Sequence, residues 1–371
     1  MNKKFWATTF TLTGTIIGAG ILGLPYVFAK SGFPIGLFWL IIIGTIITFA
    51  NLTLGEITLR TKGKHQLPGY AEKYLGIWGK RLMLAAVLFG TYSALLAYLI
   101  GEGQSLSSLI APNIPPVLFG IIFWLIITLL LREGLKGLKK IETWGVIAVI
   151  SIILGIFIRF SPLIKPQNLT PIYTSNFMVP IGVVMFALLG FTSIPELRKE
   201  IKGQEHLLKK AIIIGTIIPI ILYILFSATF IGVLGNSVSQ VATLSFGPLM
   251  TILGIFTMFT AYFVLSFSLS STFRLDVKTS KTWNFIFTSL TPLTLYVLAE
   301  YFHIIGFIFI LGIGGVISGG TTGILIFLMA KKAKSSKRNK SNPEIQMPIN
   351  LPIIIILSSF FAISIILEFI L

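Results

Sequence analysis

A chain of 371 residues with 55% hydrophobic residues, 11% charged residues and a mean hydropathy of +0.93 is too apolar for a water-soluble domain, where charged residues make up about 25%. The absence of cysteine excludes a disulfide framework and a thiolate metal site, and the scattered His65, His206 and His303 lack ligand spacing. A net charge of +17 would suit nucleic acid, but its distribution follows membrane topology instead.

Eleven apolar segments succeed one another, at 5–30, 34–59, 82–109, 116–132, 142–159, 177–197, 208–234, 247–273, 283–300, 304–330 and 350–370. Each is near the length of about 20 residues that a helix needs to cross a bilayer, and most are apolar on every side. The first is too long for a secretory leader, and further spans follow it. With the N-terminus inside, 26 of the 29 lysines and arginines fall in cytoplasmic segments; only Lys30, Arg159 and Lys165 fall outside. This asymmetry obeys the positive-inside rule. It predicts a multi-pass cell-membrane protein with a cytoplasmic N-terminus, and it explains the basic charge without nucleic acid.

In chain order, the first span holds Gly18-Ala19-Gly20-Ile21-Leu22-Gly23-Leu24-Pro25 at its middle. The letters fit Gly-x-Gly-x-x-Gly, but a dinucleotide site needs a preceding strand and an acid about 20 residues on; here the flanks are membrane-like and the next acid is Glu56. Three glycines and a proline predict a helix break. At bilayer depth a break is tolerated where freed backbone groups line a cavity, and in secondary transporters an anionic substrate group meets the half-helix N-terminus. The second span ends with Glu56 and Arg60, spaced for an i, i+4 ion pair. Residues Leu67 to Trp78 then read as a short amphipathic helix lying in the inner interface. The third span carries an acid, Glu102, at a depth where ionisable groups are functional by default.

The sixth span repeats the break. Gly190-Phe191-Thr192-Ser193-Ile194-Pro195 follows Gly20-Ile21-Leu22-Gly23-Leu24-Pro25 at an offset of 170 residues, with glycine five positions before proline in both. Two five-span halves, 5–159 and 177–330, each opening on a broken helix, are the pattern of an inverted-repeat transporter. Glu196 is placed to pair with Arg198 or Lys199 at the inner mouth. Residues 1–330 thus form a transporter core, 331–349 a basic cytoplasmic anchor loop with anionic headgroups within reach, and 350–371 an additional eleventh helix.

The segment Thr15-Ile16-Ile17-Gly18-Ala19-Gly20-Ile21-Leu22-Gly23-Leu24-Pro25-Tyr26 resembles the first-span signature of the amino acid–polyamine–organocation (APC) superfamily. With Ala29-Lys30-Ser31-Gly32-Phe33 and the sixth-span Gly190-Phe191…Ile194-Pro195-Glu196, it is most similar to the branch of aromatic amino acid permeases and amino acid/auxin permeases (AAAP). The resemblance covers about residues 5–330. It departs from the branch at Thr192-Ser193, where no histidine stands, which leaves aromatic and other neutral substrates open. It implies an all-α integral membrane fold of the LeuT type, a 5+5 inverted repeat with broken helices 1 and 6 at the substrate and spans 3 and 8 completing the pocket. The implied activity is ion-coupled secondary transport of amino acids, with no cofactor beyond the coupling ion.

A zwitterionic amino acid then calls for two backbone poles. The N–H groups at Gly20, Ile21 and Gly23, with Gly18 beside them, are the candidates for its carboxylate. The carbonyls near Ala187 and Leu188, shared with Ile16 and Ile17, are the candidates for its ammonium. Gly190, Phe191, Thr192, Tyr92, Ser93, Tyr262 and Ser266 are expected to line the side-chain pocket. The hydroxyls of the eighth span suggest Na⁺ at Thr260 with span 1 backbone oxygens, since hard oxygen ligands suit that ion and the fifth span has no mid-span lysine to replace it. Glu102 is the alternative, for H⁺ coupling or gating. The chain carries no HExxH, paired-aspartate motif, thiol or nucleotide loop, so an enzyme is not expected. An amino-acid-sensing receptor of the same fold is the competing class.

Overall fold

The computed structural model describes residues 3–63, 65–133, 138–275, 277–302, 306–335 and 342–370. Lys64, residues 134–137, Asp276, His303 and residues 336–341 of the predicted basic loop lie outside the described residues. The ordered elements are all helical. They are α1 (Lys3–Ile16), α2 (Gly20–Ser31), α3 (Phe33–Arg60), α4 (Leu67–Ile110), α5 (Pro116–Glu133), α6 (Leu138–Phe160), α7 (Pro180–Ala187), α8 (Ile194–Glu200), α9 (Leu208–Leu234), α10 (Pro248–Leu275), α11 (Lys281–Phe285), α12 (Thr291–Tyr301), α13 (Phe307–Gly314), α14 (Gly320–Ser335) and α15 (Leu351–Ile370).

Among the described residues eight helical stretches are long and apolar enough to cross a bilayer, or nine if the bent pair α1–α2 is one span. Two predicted spans fall short of that test. Residues Pro116–Leu131 form a shorter apolar helix. The ninth span is divided into α11 and α12 by a π-turn at Ile286–Leu290. A second π-turn, Gly315–Gly319, joins α13 to α14. The chain is thus a multi-pass, all-helical membrane protein.

Glycine and proline set the interruptions. Helices α1 and α2 meet at 55° across Ile17–Ala19. Helices α7 and α8 are separated by Leu188–Gly190 and a 3₁₀ turn at Phe191–Ser193. The predicted in-plane helix forms as the first part of α4 and ends at an elbow on Gly76, whose φ of 76° and ψ of −167° suit glycine. Its buried side is Leu67, Pro68, Tyr70, Ala71 and Tyr74, while Trp78 past the elbow is 69% exposed under the Arg81 guanidinium.

Two connectors brace opposite faces. Residues 161–179 run back across one face in 3₁₀ turns. There the Lys165 amide and the Asn168 side chain both donate to Gly232 O, the Tyr173 amide donates to Ser31 O, and Trp39 Nε1 donates to Phe177 O at 2.7 Å. On the other face residues 342–350 form an extended strap. Pro343, Ile345 and Met347 are buried, whereas Glu344, Gln346 and Pro348 between and beside them are exposed. The predicted Glu56–Arg60 pair is present at 2.8 Å. Glu56 also accepts the Met347 amide at 2.7 Å, and Lys334 donates to the Met347 carbonyl. One buried carboxylate therefore ties α3 to the strap.

Candidate functional site

The two breaks face one another inside the bundle. Their freed backbone groups are met by tyrosines from α4 and α9. The Ala19 amide donates to the Tyr98 hydroxyl at 2.8 Å. The Tyr223 hydroxyl lies 2.8 Å from both Ile16 O and Ala187 O, so its single proton serves the terminal carbonyls of both α1 and α7. The halves approach closely because Gly20 has no side chain: a Cβ there would lie 2.4 Å from Ala187 Cα. A Cβ on Gly18 would lie 2.7 Å from the Tyr98 oxygen.

Beside the breaks is a cavity of about 710 Å³, its open mouth included, which extends to Leu67 at the start of α4. Ile16, Gly18, Gly20, Phe191 and Thr192 of the predicted set line it, joined by Ala19, Tyr98, Gly90, Ser318 and Thr322. No acidic or basic side chain is among its described lining residues.

The other predicted residues take other places. Ile17 sits in the first gap, and Ala187 and Leu188 are buried at the end of α7. Gly190 opens the 3₁₀ turn of the second break. Ile21 is buried, and Gly23 meets Leu311, Ile308 and Val183. Tyr92 donates to Phe287 O at 2.8 Å, and Ser93 packs on Gly314, so both serve contacts of α4 with its neighbours. Tyr262 is buried edge-on to Tyr98 and Phe123, with Ser266 buried one turn further on.

The coupling candidates differ in how their polar atoms are used. Thr260 Oγ1 points to Thr257 O and Phe256 O of its own helix, at 3.0 and 3.2 Å. Glu102 is fully buried, and among the described residues neither carboxyl oxygen has a hydrogen-bond partner. It stands one turn from Tyr98 on α4. Among the described residues no group of three or more His, Asp or Glu gathers as a metal site.

The mouth is pinned to the second half-helix of the sixth span. Glu196 pairs with Lys199 at 2.7 Å, as its position predicted, and accepts from Gln66 at 2.8 Å. Arg198 donates to Thr61 O at 3.0 Å. These bonds tie α8 to the turn that carries Leu67.

Tyr98, Tyr223, Ser318 and Thr322 were not foreseen. The partners of Tyr98 and Tyr223 lie far along the chain, 79 positions for Ala19 and 207 for Ile16, and no local spacing marks any of the four. The one available signal was the rule that buried backbone groups at a break must find partners. It asks for hydroxyls on neighbouring spans without saying which.

Known proteins share sequence with this chain. The model of the tryptophan/tyrosine permease family matches residues 1–270. Tyrosine-specific transport system 1 of Haemophilus influenzae is 28% identical over 240 residues, covering 63% of this chain and 59% of that protein. Glutamine transporter 2 of Aliivibrio fischeri is 24% identical over 257 residues, covering 66% and 65%. The serine/threonine exchanger SteT of Bacillus subtilis is 29% identical over 276 residues, covering 67% and 61%. The chain thus spans about three fifths of the length of these relatives. A match over more than half its residues, including both breaks, establishes that the chain belongs to the tryptophan/tyrosine permease family.

Proposed function

We propose that the protein is a secondary active transporter of amino acids in the cell membrane, with its N-terminus cytoplasmic. In this reading eleven spans adopt a LeuT-type 5+5 inverted repeat of the AAAP branch of the APC superfamily, and the two breaks hold the substrate backbone. The carrying observation is that the Tyr223 hydroxyl bridges the carbonyl ends of both half-helices, Ile16 O and Ala187 O. That is the place where an ammonium, with three donors, would find two acceptors. The carboxylate has the first free amides of α2, at Gly20 and Ile21, and the Tyr98 hydroxyl, which accepts from Ala19 and keeps its own proton to donate. Alternating access then consists of the half-helices α1 and α8 moving about this point, with the turn at Leu67 as part of the inner gate.

Proton coupling through Glu102 is favoured over Na⁺ at Thr260. Glu102 is buried next to the Tyr98 turn, and among the described residues both its oxygens are unpartnered, whereas no described group beside Thr260 gathers as a metal site. The relatives' names, for tyrosine, glutamine and serine/threonine transport, support a neutral amino acid as substrate.

Uptake by proteoliposomes of the purified chain tests the reading. Concentrative uptake of a neutral amino acid is expected under an inward proton gradient without Na⁺. Uptake that requires Na⁺ and ignores the proton gradient would return the coupling site to Thr260. Saturable binding without any uptake would make the protein a receptor of the same fold.

A further inference from the structure

Five serine and threonine side chains line the cavity: Thr15, Thr91, Thr192, Ser318 and Thr322. In a membrane helix such hydroxyls normally donate to a carbonyl one turn back. Thr15 and Thr91 do so, to Thr11 O at 2.8 Å and Val87 O at 2.9 Å. The other three are unspent: among the described residues the side-chain hydroxyls of Thr192, Ser318 and Thr322 make no hydrogen bond. Thr192 belongs to the 3₁₀ turn of the second break. Ser318 lies within the π-turn that joins α13 to α14, and Thr322 follows it four residues later. Single π-turns inside helices recur at functional sites. Gly90 leaves the room that Ser318 occupies, since a Cβ there would lie 2.3 Å from Ser318 Oγ.

We propose that Thr192, Ser318 and Thr322 form a side-chain subsite selecting neutral amino acids whose side chain carries a hydroxyl or carboxamide. This rests on the substrate backbone lying at the breaks, which directs the side chain into this cavity. Each unspent hydroxyl pays for desolvation when a hydrocarbon side chain closes over it, and recovers that loss when the side chain donates or accepts. A site built to hydrogen-bond its substrate discriminates strongly against an analogue lacking the polar group. A charged side chain meets no counter-charge in the described lining and is excluded.

Matched pairs test this: threonine against valine, tyrosine against phenylalanine, and glutamine against methionine, each competing for uptake and for ligand-induced thermal stabilisation of the full chain. In at least one pair the polar member binds tenfold or more tighter, while lysine and glutamate do not compete. The double variant Ser318→Ala, Thr322→Val brings that ratio within threefold and retains binding of the hydrocarbon member. Thr192→Val alone gives an intermediate ratio. Hydrocarbon members that bind as tightly as their polar partners, or a ratio that survives the double variant, overturn the subsite and leave the backbone site standing. Absence of binding by all twenty amino acids overturns both.

Discussion

Two tyrosines decide the state of the breaks. Removing the Tyr223 hydroxyl strands Ile16 O and Ala187 O away from water, and an unpaired buried polar group costs about 1–3 kcal/mol. Tyr223→Phe is therefore expected to lower the melting temperature of the substrate-free protein. A saturating substrate should restore most of the difference, because its ammonium supplies the missing donors. Differential scanning fluorimetry with and without substrate checks this; an equal deficit in both would make Tyr223 a packing residue only. At Glu102 the expected outcome concerns coupling. Glu102→Gln keeps the shape and removes the titratable group, so counterflow exchange should persist while accumulation driven by a proton gradient is lost. The sequence made Glu102 visible because an acid inside a span is rare. It named Tyr92 and passed over Tyr98 because helices that are apolar on every side carry no stripe to tell which face looks inward.

At the scale of elements, the breaks were legible because glycine and proline act through local backbone physics. What each glycine admits was not. Gly20 was expected to open space for a carboxylate, and it also lets α2 touch α7. Gly20→Ala should push the two half-helices apart and weaken substrate binding more than tenfold, about 1.4 kcal/mol. Gly155→Ala is the control: a Cβ there meets nothing within 4 Å, and alanine favours the helix. Equal affinities for the two variants in a binding titration would separate the α2–α7 contact from function. The elbow at Gly76 fell inside a segment read as one short helix, since a single left-handed glycine leaves no periodic trace. The two π-turns were hidden for a related reason: one extra residue in a uniformly apolar helix changes no pattern.

For the whole molecule, hydropathy carried the apolar helices, eight of which among the described residues are long enough to cross a bilayer. The limits of the seventh span, 208–234, coincide with α9, and the helix-rich, multi-pass character followed from the succession of apolar segments. The strap at 342–350 escaped notice because it is held by Glu56, 291 positions from Met347. Topology gives the prediction at this scale. Gln346, exposed on the strap, and Thr170, exposed on the opposite connector, should fall on opposite sides of the membrane. In this cysteine-free chain, a single cysteine at Thr170 should react with an impermeant maleimide in intact cells, and one at Gln346 only after permeabilisation. Labelling of both from outside would overturn the positive-inside orientation.

The central claim is that the facing breaks bind the two ends of one amino acid. Substrate analogues that lack one end test it most directly. With the best-bound amino acid as reference, affinities of its decarboxylated amine and its deaminated acid would be measured by competition on the purified protein. The account predicts that each analogue loses at least 100-fold, about 2.7 kcal/mol, because each leaves one pole of the breaks unfilled. An amine or an acid that competes within threefold of the amino acid would contradict it.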